Sequence, residues 1–267
     1  MKLRHFLAVC TLLLSTLAQA ADCPRIVSQS PYITRTLEWL GRGDCIVGVS
    51  RYDPLPLART GGVIDPDPVA IGDLEPDVVI YSEWTSADTA ALVTPSGAVA
   101  LRVGGFKGMA GVESMLREIG RTSAVGDIEK RVTAFAGDWR AAAARVDSRQ
   151  RRILILSACS NAPYSFGRGT TLFELFTAAG FVVVADHENI RNFRPEQPDG
   201  DVAAWIAERR PDLLFALQDR RSESCNPAIA QPGVPILPLT GEHFTHPGPG
   251  FLKGLEELRQ MIAEFGA

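Results

Sequence analysis

Short apolar runs bounded by polar, glycine or proline residues alternate along the chain with stretches of helical periodicity. The short runs are rich in Val and Ile, which is typical of buried strands. These strand candidates are 25–28, 46–49, 77–81, 99–103, 153–157, 181–185, 212–217 and 236–239. The helix candidates between them are 33–40, 86–93, 171–179, 201–209 and 250–265. Regular alternation of the two predicts an α/β fold with mostly parallel sheets.

The strand pattern stops between residues 111 and 145, where the sequence is helical. The segment 111–127, "GVESMLREIGRTSAVGD", predicts a helix and a break. The segment 128–146, "IEKRVTAFAGDWRAAAARV", contains no proline and predicts a helix about 30 Å long. We therefore expect two α/β lobes bridged by one long backbone helix. The expected parts are 21–110 for the N-terminal lobe, 111–150 for the linking helices and 151–267 for the C-terminal lobe.

Residues 1–20 have the composition of an export signal. Lys2 and Arg4 precede an apolar run over 6–17, and "AQA" ends at Ala20. This pattern predicts cleavage after Ala20 and an exported mature chain. The apolar run is shorter than the roughly 20 residues that a membrane-spanning helix needs.

The charge balance of the mature chain argues against nucleic acid and anionic membranes as partners. Without Lys2 and Arg4, 25 basic residues stand against 31 acidic ones. An acidic chain is repelled by phosphate backbones and by anionic lipid surfaces. A small molecule or another protein is therefore the expected partner.

Cysteines of the mature chain suggest two disulfides in an oxidising compartment. Cys23 and Cys45 each precede a predicted strand, so adjacent parallel strands would bring them together. Cys159 and Cys225 each follow a strand candidate in the second half, which suggests a second bridge by the same logic. The chain has no closely spaced cysteine pair, which disfavours a thiolate metal site.

Four motifs occur in a fixed order along the mature chain. They are "PRIVSQSPYITRTLEWLGRGDCIVGVSRYD" (24–53), "IGDLEPDVVIYSEW" (71–84), "GRGTTLFELFTAAG" (167–180) and "VPILPLTGEHFTHPGPGFLKGLEEL" (234–258). Together they resemble the helical-backbone class of periplasmic substrate-binding proteins, which serve ABC importers of metal chelates. This class includes cobalamin, siderophore and haem receptors, and the resemblance is greatest to the cobalamin receptors.

The resemblance implies a monomer in the periplasm with a ligand cleft between its lobes. Such a protein captures a small metal chelate, cobalamin-like or siderophore-like, and delivers it to an ABC permease in the inner membrane. It has no built-in cofactor and catalyses no reaction. Cobalt or iron, with zinc possible, would arrive as part of the ligand.

Permease docking in this class uses an acidic side chain on each lobe. The matching positions in this sequence are Val69 and Gly169, so both depart from the pattern. Asp65, Asp67 or Glu174 lies close enough along the chain to take this role instead.

Candidate ligand-binding side chains follow the predicted strands, because ligands of parallel α/β sheets bind at the carboxyl ends of the strands. These candidates are Tyr32, Arg51, Tyr52, Trp84, Tyr164, Glu242, His243 and Phe244. Aromatic faces would contact a flat ligand, and the Arg51 guanidinium would bind carboxylate or catecholate groups. Packing in the core is the alternative for the aromatic residues, and solvation at the surface is the alternative for Arg51.

All three histidines of the mature chain follow second-lobe strands. His187, His243 and His246 could bind a metal, or the open coordination position of a chelate, through neutral imidazole. They could equally be surface-loop residues. Direct capture of zinc or haem is therefore an alternative function. A secreted hydrolase and a partner protein with a vestigial cleft are others, although the sequence contains neither a nucleophile-elbow motif nor a phosphate-loop motif.

Overall fold

The structure is a computed structural model, and it describes residues 23–158, 162–194, 196, 200–218 and 226–266. The predicted export signal over 1–20 lies outside the described residues, as do Cys159 and Cys225. Within the described ranges, no helix combines the length and apolar character that crossing a membrane requires.

The first lobe is a parallel sheet with helices packed against it. Its strands are β1 (Ile26–Ser28), β2 (Ile46–Val49), β3 (Ala58–Arg59), β4 (Val78–Ser82) and β5 (Val99–Val103). Its helices are α1 (Pro31–Trp39), α2 (Pro68–Gly72) and α3 (Ala87–Val93). The strand order is β3-β2-β1-β4-β5, and every neighbouring pair is parallel. All strands therefore end at the same edge of the sheet.

The second lobe is a mixed sheet. Its strands are β6 (Arg152–Ser157), β7 (Tyr164–Phe166), β8 (Val182–Val183), β9 (Ile190–Asn192), β10 (Leu213–Gln218) and β11 (Ile236–Thr240). Its helices are α6 (Thr171–Ala178), α7 (Val202–Arg209), α8 (Gly241–Phe244) and α9 (Gly250–Phe265). The order is β11-β10-β6-β7-β9, with β8 also paired to β6, and only β7 runs antiparallel to its neighbours. Strands β7 and β9 and the four-residue helix α8 were not expected from the sequence.

Two helices connect the lobes, as the helix, break and long helix predicted for 111–146 require. Helix α4 (Met109–Thr122) packs on α1 of the first lobe and on α6 of the second, and α5 (Ile128–Ala143) packs on α4, α6 and α9. The predicted break separates the two helices, and α5 is the long backbone helix expected after it. Helix α5 has 16 residues, about 24 Å of helix. It ends at Ala143, before the predicted end at Val146.

The two lobes share one apolar core. A single cluster of buried side chains contains Ile33 of α1, Leu116 of α4, Phe135 of α5, Phe176 of α6 and Leu258 of α9. The helical spacing of apolar residues that predicted α4 and α9 is the spacing that places these side chains on one buried face. The lobes are therefore parts of one folded body.

A disulfide joins Cys23 to Cys45, as the sequence predicted. It fastens the residues before β1 to the residues before β2, and these strands are parallel neighbours. The second predicted bridge stays a prediction because both its cysteines lie outside the described residues.

Candidate ligand-binding cleft

The two lobes meet where the loop after β5 contacts the first turn of α6. The Thr171 hydroxyl donates a 2.7 Å hydrogen bond to the carbonyl of Gly105, and the Thr171 amide donates a 3.0 Å bond to the carbonyl of Phe106. Gly105 has a φ of +107°, and a Cβ atom there would lie 2.9 Å from Pro247. Glycine is needed at this position, because the second lobe packs directly against this backbone.

Two acidic side chains also connect the lobes. The Glu174 carboxylate accepts a 2.7 Å hydrogen bond from the Met109 amide, at the first residue of α4. Glu242 lies opposite α1: its carbonyl accepts a 2.9 Å bond from Arg35, and its carboxylate is 3.7 Å from the same guanidinium. Each residue therefore already has a partner within the protein. The docking role predicted for Glu174 and the ligand-binding role predicted for Glu242 did not include these partners.

A small cavity opens beside this contact between the lobes. Its lining includes Phe106, Phe166, Thr171, Ile190, Phe244 and Pro247. Phe106 comes from the first lobe and the other residues from the second. The lining is mostly apolar, so the cavity offers contact area with few polar partners. Phe244, a predicted ligand contact, lies at this cavity but is only 1% exposed and belongs to the core.

Three large apolar side chains are exposed at the carboxyl edge of the first-lobe sheet. Tyr52 is 63% exposed, Ile64 is 70% exposed and Trp84 is 56% exposed. We call these three residues the first-lobe rim. Tyr52 follows β2, Ile64 follows β3 and Trp84 follows β4. Large apolar side chains grouped at one edge and open to solvent indicate a binding surface.

Phe106 links the rim to the contact between the lobes. Its ring packs edge-on against Trp84 at 5.6 Å and against Tyr32 at 5.5 Å. Tyr32 is itself buried, and its hydroxyl donates a 2.9 Å hydrogen bond to the carbonyl of Val103. Burial raises the pKa of the Tyr32 hydroxyl, which therefore stays protonated. Tyr32 supports the aromatic row from behind, whereas Trp84 forms its exposed end.

Arg51 and the predicted docking acids Asp65 and Asp67 all have partners within the first lobe. Arg51 pairs with Asp65, and Asp67 accepts hydrogen bonds from backbone amides. Arg51 Nη2 lies 2.6 Å from Asp65 Oδ2, and its guanidinium stands 5.9 Å from the centre of the Tyr52 ring. Asp67 caps α2, because its Oδ1 accepts hydrogen bonds from Val69 N at 2.9 Å and from Ala70 N at 3.1 Å.

On the second lobe, Tyr164 is half-buried, and its ring packs edge-on against Phe166 at 5.4 Å. Phe166 lines the cavity. Tyr164 is thus the predicted second-lobe aromatic residue that lies next to the cavity and is still partly open to solvent.

The three histidines have separate surroundings. His187 Nδ1 donates to the carbonyl of Asn189 at 2.6 Å, and its Nε2 is 3.2 Å from Ser165 Oγ. Burial lowers the pKa of His187, which favours neutral imidazole. His243 lies in α8 rather than in a loop, with Nδ1 2.8 Å from Glu257, and the His246 ring stacks on Tyr32 at 6.2 Å. In the part of the chain that the structure describes, no three His, Cys, Asp or Glu side chains are grouped to hold a metal ion.

Sequence reasoning did not single out Ile64. Val63 and Ile64 form a two-residue apolar pair between glycines and an Asp-Pro repeat, where neither helical nor strand periodicity exists to mark them. The signal that could have identified Ile64 is this setting, because an apolar pair in a polar turn is too short to be a core strand or helix.

No protein-family model matches the sequence, and no curated protein matches it either. Solved structures do match. The periplasmic haem-binding protein HutB of Vibrio cholerae has a TM-score of 0.74 at 17% sequence identity, over 89% of this chain and 98% of that protein. The periplasmic vitamin B12 binding protein BtuF of Vibrio cholerae has a TM-score of 0.69 at 18% identity, over 91% and 97%. The petrobactin-binding protein YclQ of Bacillus subtilis has a TM-score of 0.64 at 16% identity, over 90% and 91%.

These similarities establish the fold. Each one extends over nearly the whole of the solved chain, so it includes both lobes and the helices between them. The chain therefore has the two-lobed α/β architecture of this class of binding protein, as its motifs predicted. The three neighbours are binding proteins rather than enzymes.

Proposed function

We propose that this chain is the periplasmic substrate-binding protein of an ABC importer, and that it captures a small metal chelate and hands it to a membrane permease. The observation that carries the proposal is the first-lobe rim of Tyr52, Ile64 and Trp84, exposed after the strands of the first-lobe sheet, with Trp84 packed on Phe106 at the contact between the lobes. Solvent-exposed apolar groups at the ligand edge of an α/β sheet need a partner. The neighbours named for vitamin B12, haem and petrobactin support a chelate as that partner.

Aromatic side chains make the expected contacts. Trp84 and Tyr52 offer exposed faces on the first lobe, and the second lobe offers Tyr164, which packs on the cavity residue Phe166. Flat or greasy ligands gain contact area from such rings, and the phenol hydroxyls supply polar partners. A corrinoid or a ferric siderophore has this mixture of apolar body and polar edge.

Haem is the second candidate ligand. The exposed Tyr52 phenol favours it, because a tyrosine oxygen is an established ligand of haem iron. Bare zinc is a weaker candidate, because the described histidines are apart and two of them are hydrogen bonded within the protein.

Permease docking is proposed to use Asp67 on the first lobe and Glu188 on the second. Asp67 is exposed and caps α2 through Oδ1 alone, whereas Asp65 is paired with Arg51. Glu188 is exposed beside Gly169: a Cβ atom on Gly169 would lie 2.9 Å from Glu188 Oε1. Glu188 thus places a carboxylate beside Gly169, the position at which this class has an acidic residue. Glu174 is instead hydrogen bonded to the first amide of α4.

The experiment is calorimetric titration of the metal-stripped mature chain with cyanocobalamin, cobinamide, haemin, ferrichrome, ferric enterobactin and zinc chloride. We expect tight 1:1 binding of one chelate and about tenfold weaker binding by Trp84→Ala, since burial of a large aromatic face is lost. Leu92→Ala is the matched control, because Leu92 is 85% exposed on α3. Failure of every chelate to bind, or zinc binding that disappears in His243→Ala, would overturn the proposal.

A further inference from the structure

The loop 61–66 has a fixed shape and presents Ile64 at its tip. Its two ends are joined, because Gly61 and Pro66 form an antiparallel bridge and the Gly62 amide donates a 3.1 Å hydrogen bond to the carbonyl of Asp65. Gly61 has a φ of +88°, and a Cβ atom there would lie 2.5 Å from the Asp67 nitrogen. Ile64 remains 70% exposed although its neighbours in the loop are held in place.

Two side chains from outside the loop brace it. Thr85 Oγ1 donates a 2.5 Å hydrogen bond to the carbonyl of Val63, and Arg51 Nη2 contacts Asp65 Oδ2 at 2.6 Å. The ion pair lies directly over the loop backbone, since a Cβ atom on Gly62 would be 2.0 Å from Asp65 Oδ1 and 3.2 Å from Arg51 Nε. Arg51 is therefore packed against loop 61–66 as well as paired with it.

The Thr85 bond also locates the loop relative to the rim. Loop 61–66 follows β3, and Thr85 follows β4, which lies three places further along the sheet. Strands are about 4.8 Å apart, so the ends of β3 and β4 are roughly 14 Å apart, and the loop after β3 and the residues after β4 together span this distance. Because Val63 precedes Ile64 and Thr85 follows Trp84 in the sequence, the bond between them brings the two rim residues near each other.

The ion pair between Arg51 and Asp65 is better suited to holding loop 61–66 than to stabilising the whole fold. Arg51 and Asp65 keep 49% and 60% of their side chains exposed, and pairs this exposed add little to the stability of a fold. A loop that is already ordered, however, binds a ligand without first losing conformational freedom. A guanidinium that is engaged by Asp65 and packed on Gly62 is also poorly placed to be the direct anion anchor predicted from the sequence.

We infer that Arg51 is a positioning residue: through Asp65 it holds loop 61–66 so that Ile64 contacts an apolar face of the ligand beside Trp84. This inference rests on the proposed function, and it adds that the bound molecule presents apolar surface rather than carboxylates to this part of the rim. Ile64 is then a specificity-determining contact.

The test compares Arg51→Ala, Asp65→Asn, Ile64→Ala and the double variant Arg51→Ala/Ile64→Ala by titration with cyanocobalamin, haemin and ferrichrome. We expect Ile64→Ala to weaken binding about tenfold and the two ion-pair variants about threefold to tenfold. Adding Arg51→Ala to Ile64→Ala should change the affinity no further, because both act through the same contact. Arg121→Ala is the matched control: Arg121 makes an equally short exposed pair with Glu129, at 2.6 Å, where α4 meets α5.

Two outcomes would overturn the inference. If Arg51 instead binds the ligand directly, the affinity losses of Arg51→Ala and Ile64→Ala multiply in the double variant. Asp65→Asn then leaves the affinity unchanged or raises it, because the Arg51 guanidinium is released from Asp65. Hydrogen exchange of peptides covering 61–66 supplies a second readout, in which Arg51→Ala and Asp65→Asn should accelerate exchange and Arg121→Ala should not. If no probe binds the wild-type chain, the proposed function fails. If hydrogen exchange of loop 61–66 is unchanged in Arg51→Ala, the positioning role is rejected whatever the titrations show.

Discussion

The hydroxyl of Thr171, at the start of a second-lobe helix, donates a 2.7 Å hydrogen bond to the carbonyl of Gly105, at the end of the first-lobe sheet. Both groups are buried. A buried hydrogen bond of this kind contributes about 1 kcal/mol, and its loss leaves a carbonyl without this donor. The bond ties together the two halves of the cleft at the point where the cavity opens.

Thr171→Val tests the contribution of this bond. We expect the free energy of unfolding to fall by about 1 to 3 kcal/mol, since valine keeps the shape but removes the donor. Urea denaturation measures the loss. Thr133→Val, at an exposed position of α5, is the matched control and should change stability little. Equal effects of the two substitutions would contradict the assigned role.

Two helix glycines should respond to alanine in opposite directions. A Cβ atom on Gly254 of α9 would lie 2.8 Å from the ring of Phe244, whereas one on Gly137 of α5 would meet nothing within 4 Å. Gly254→Ala should therefore destabilise the protein by about 1 to 3 kcal/mol through overpacking. Gly137→Ala should stabilise it by up to about 1 kcal/mol, because alanine favours the helix. Thermal unfolding of both variants decides the matter, and the same sign in both would refute it.

Acid should weaken the fold through His187. Burial lowers the pKa of His187 in the folded chain, so the unfolded chain takes up the proton first. The stability that this histidine contributes is present above its unfolded pKa of about 6.5 and is lost as the pH falls towards the folded pKa. The hydrogen bond to the Asn189 carbonyl and the nearby Asp186 carboxylate oppose this lowering of the pKa, whereas Arg191 and Arg209 add to it.

The measurement is urea unfolding at pH 7.5 and pH 5.5 for the wild type and for His187→Gln. The wild type should lose more stability on acidification than the variant does. His243→Gln is the comparison variant, because it removes an imidazole in a different place, beside Glu257. An identical pH dependence in wild type and His187→Gln would show that His187 does not carry the effect.

The second disulfide is open to direct test. The Asn226 amide donates a 2.7 Å hydrogen bond to the carbonyl of Ala158. Ala158 directly precedes Cys159 in the sequence, and Asn226 directly follows Cys225. We predict a bridge between Cys159 and Cys225. Peptide mapping by mass spectrometry of the non-reduced chain should recover two linked pairs and no free thiol. Two alkylated cysteines without reduction would rule the bridge out.

Much of the fold was predictable because its periodic signals are strong. Helix α9 begins and ends at the predicted residues, Gly250 and Phe265, and the apolar runs became strands β1, β2, β4, β5, β6, β10 and β11. Strands β7 and β9 were missed because "YSF" and "IRN" are too short to show alternation. The long helix α5 begins at the predicted residue but ends at Ala143 rather than Val146, since the absence of proline permits a helix but does not show where it ends.

The site was less predictable because contacts between distant residues decide it. The tyrosines at 32 and 52 have similar sequence contexts, each next to a predicted strand, yet one is 2% exposed and the other 63%. Arg51 looked like a free cation, and only the tertiary structure brings Asp65, 14 residues away, to its guanidinium. Side-chain partners of this kind leave no periodic trace in a sequence.

The core shared by α1, α4, α5, α6 and α9 has a consequence for the opening between the two lobes. Moving one lobe against the other would pull apart the packed side chains of that cluster, so the width of the opening is set when the chain folds. If the chain binds a ligand as proposed, a molecule too thick for this opening cannot enter it, whatever polar groups it carries.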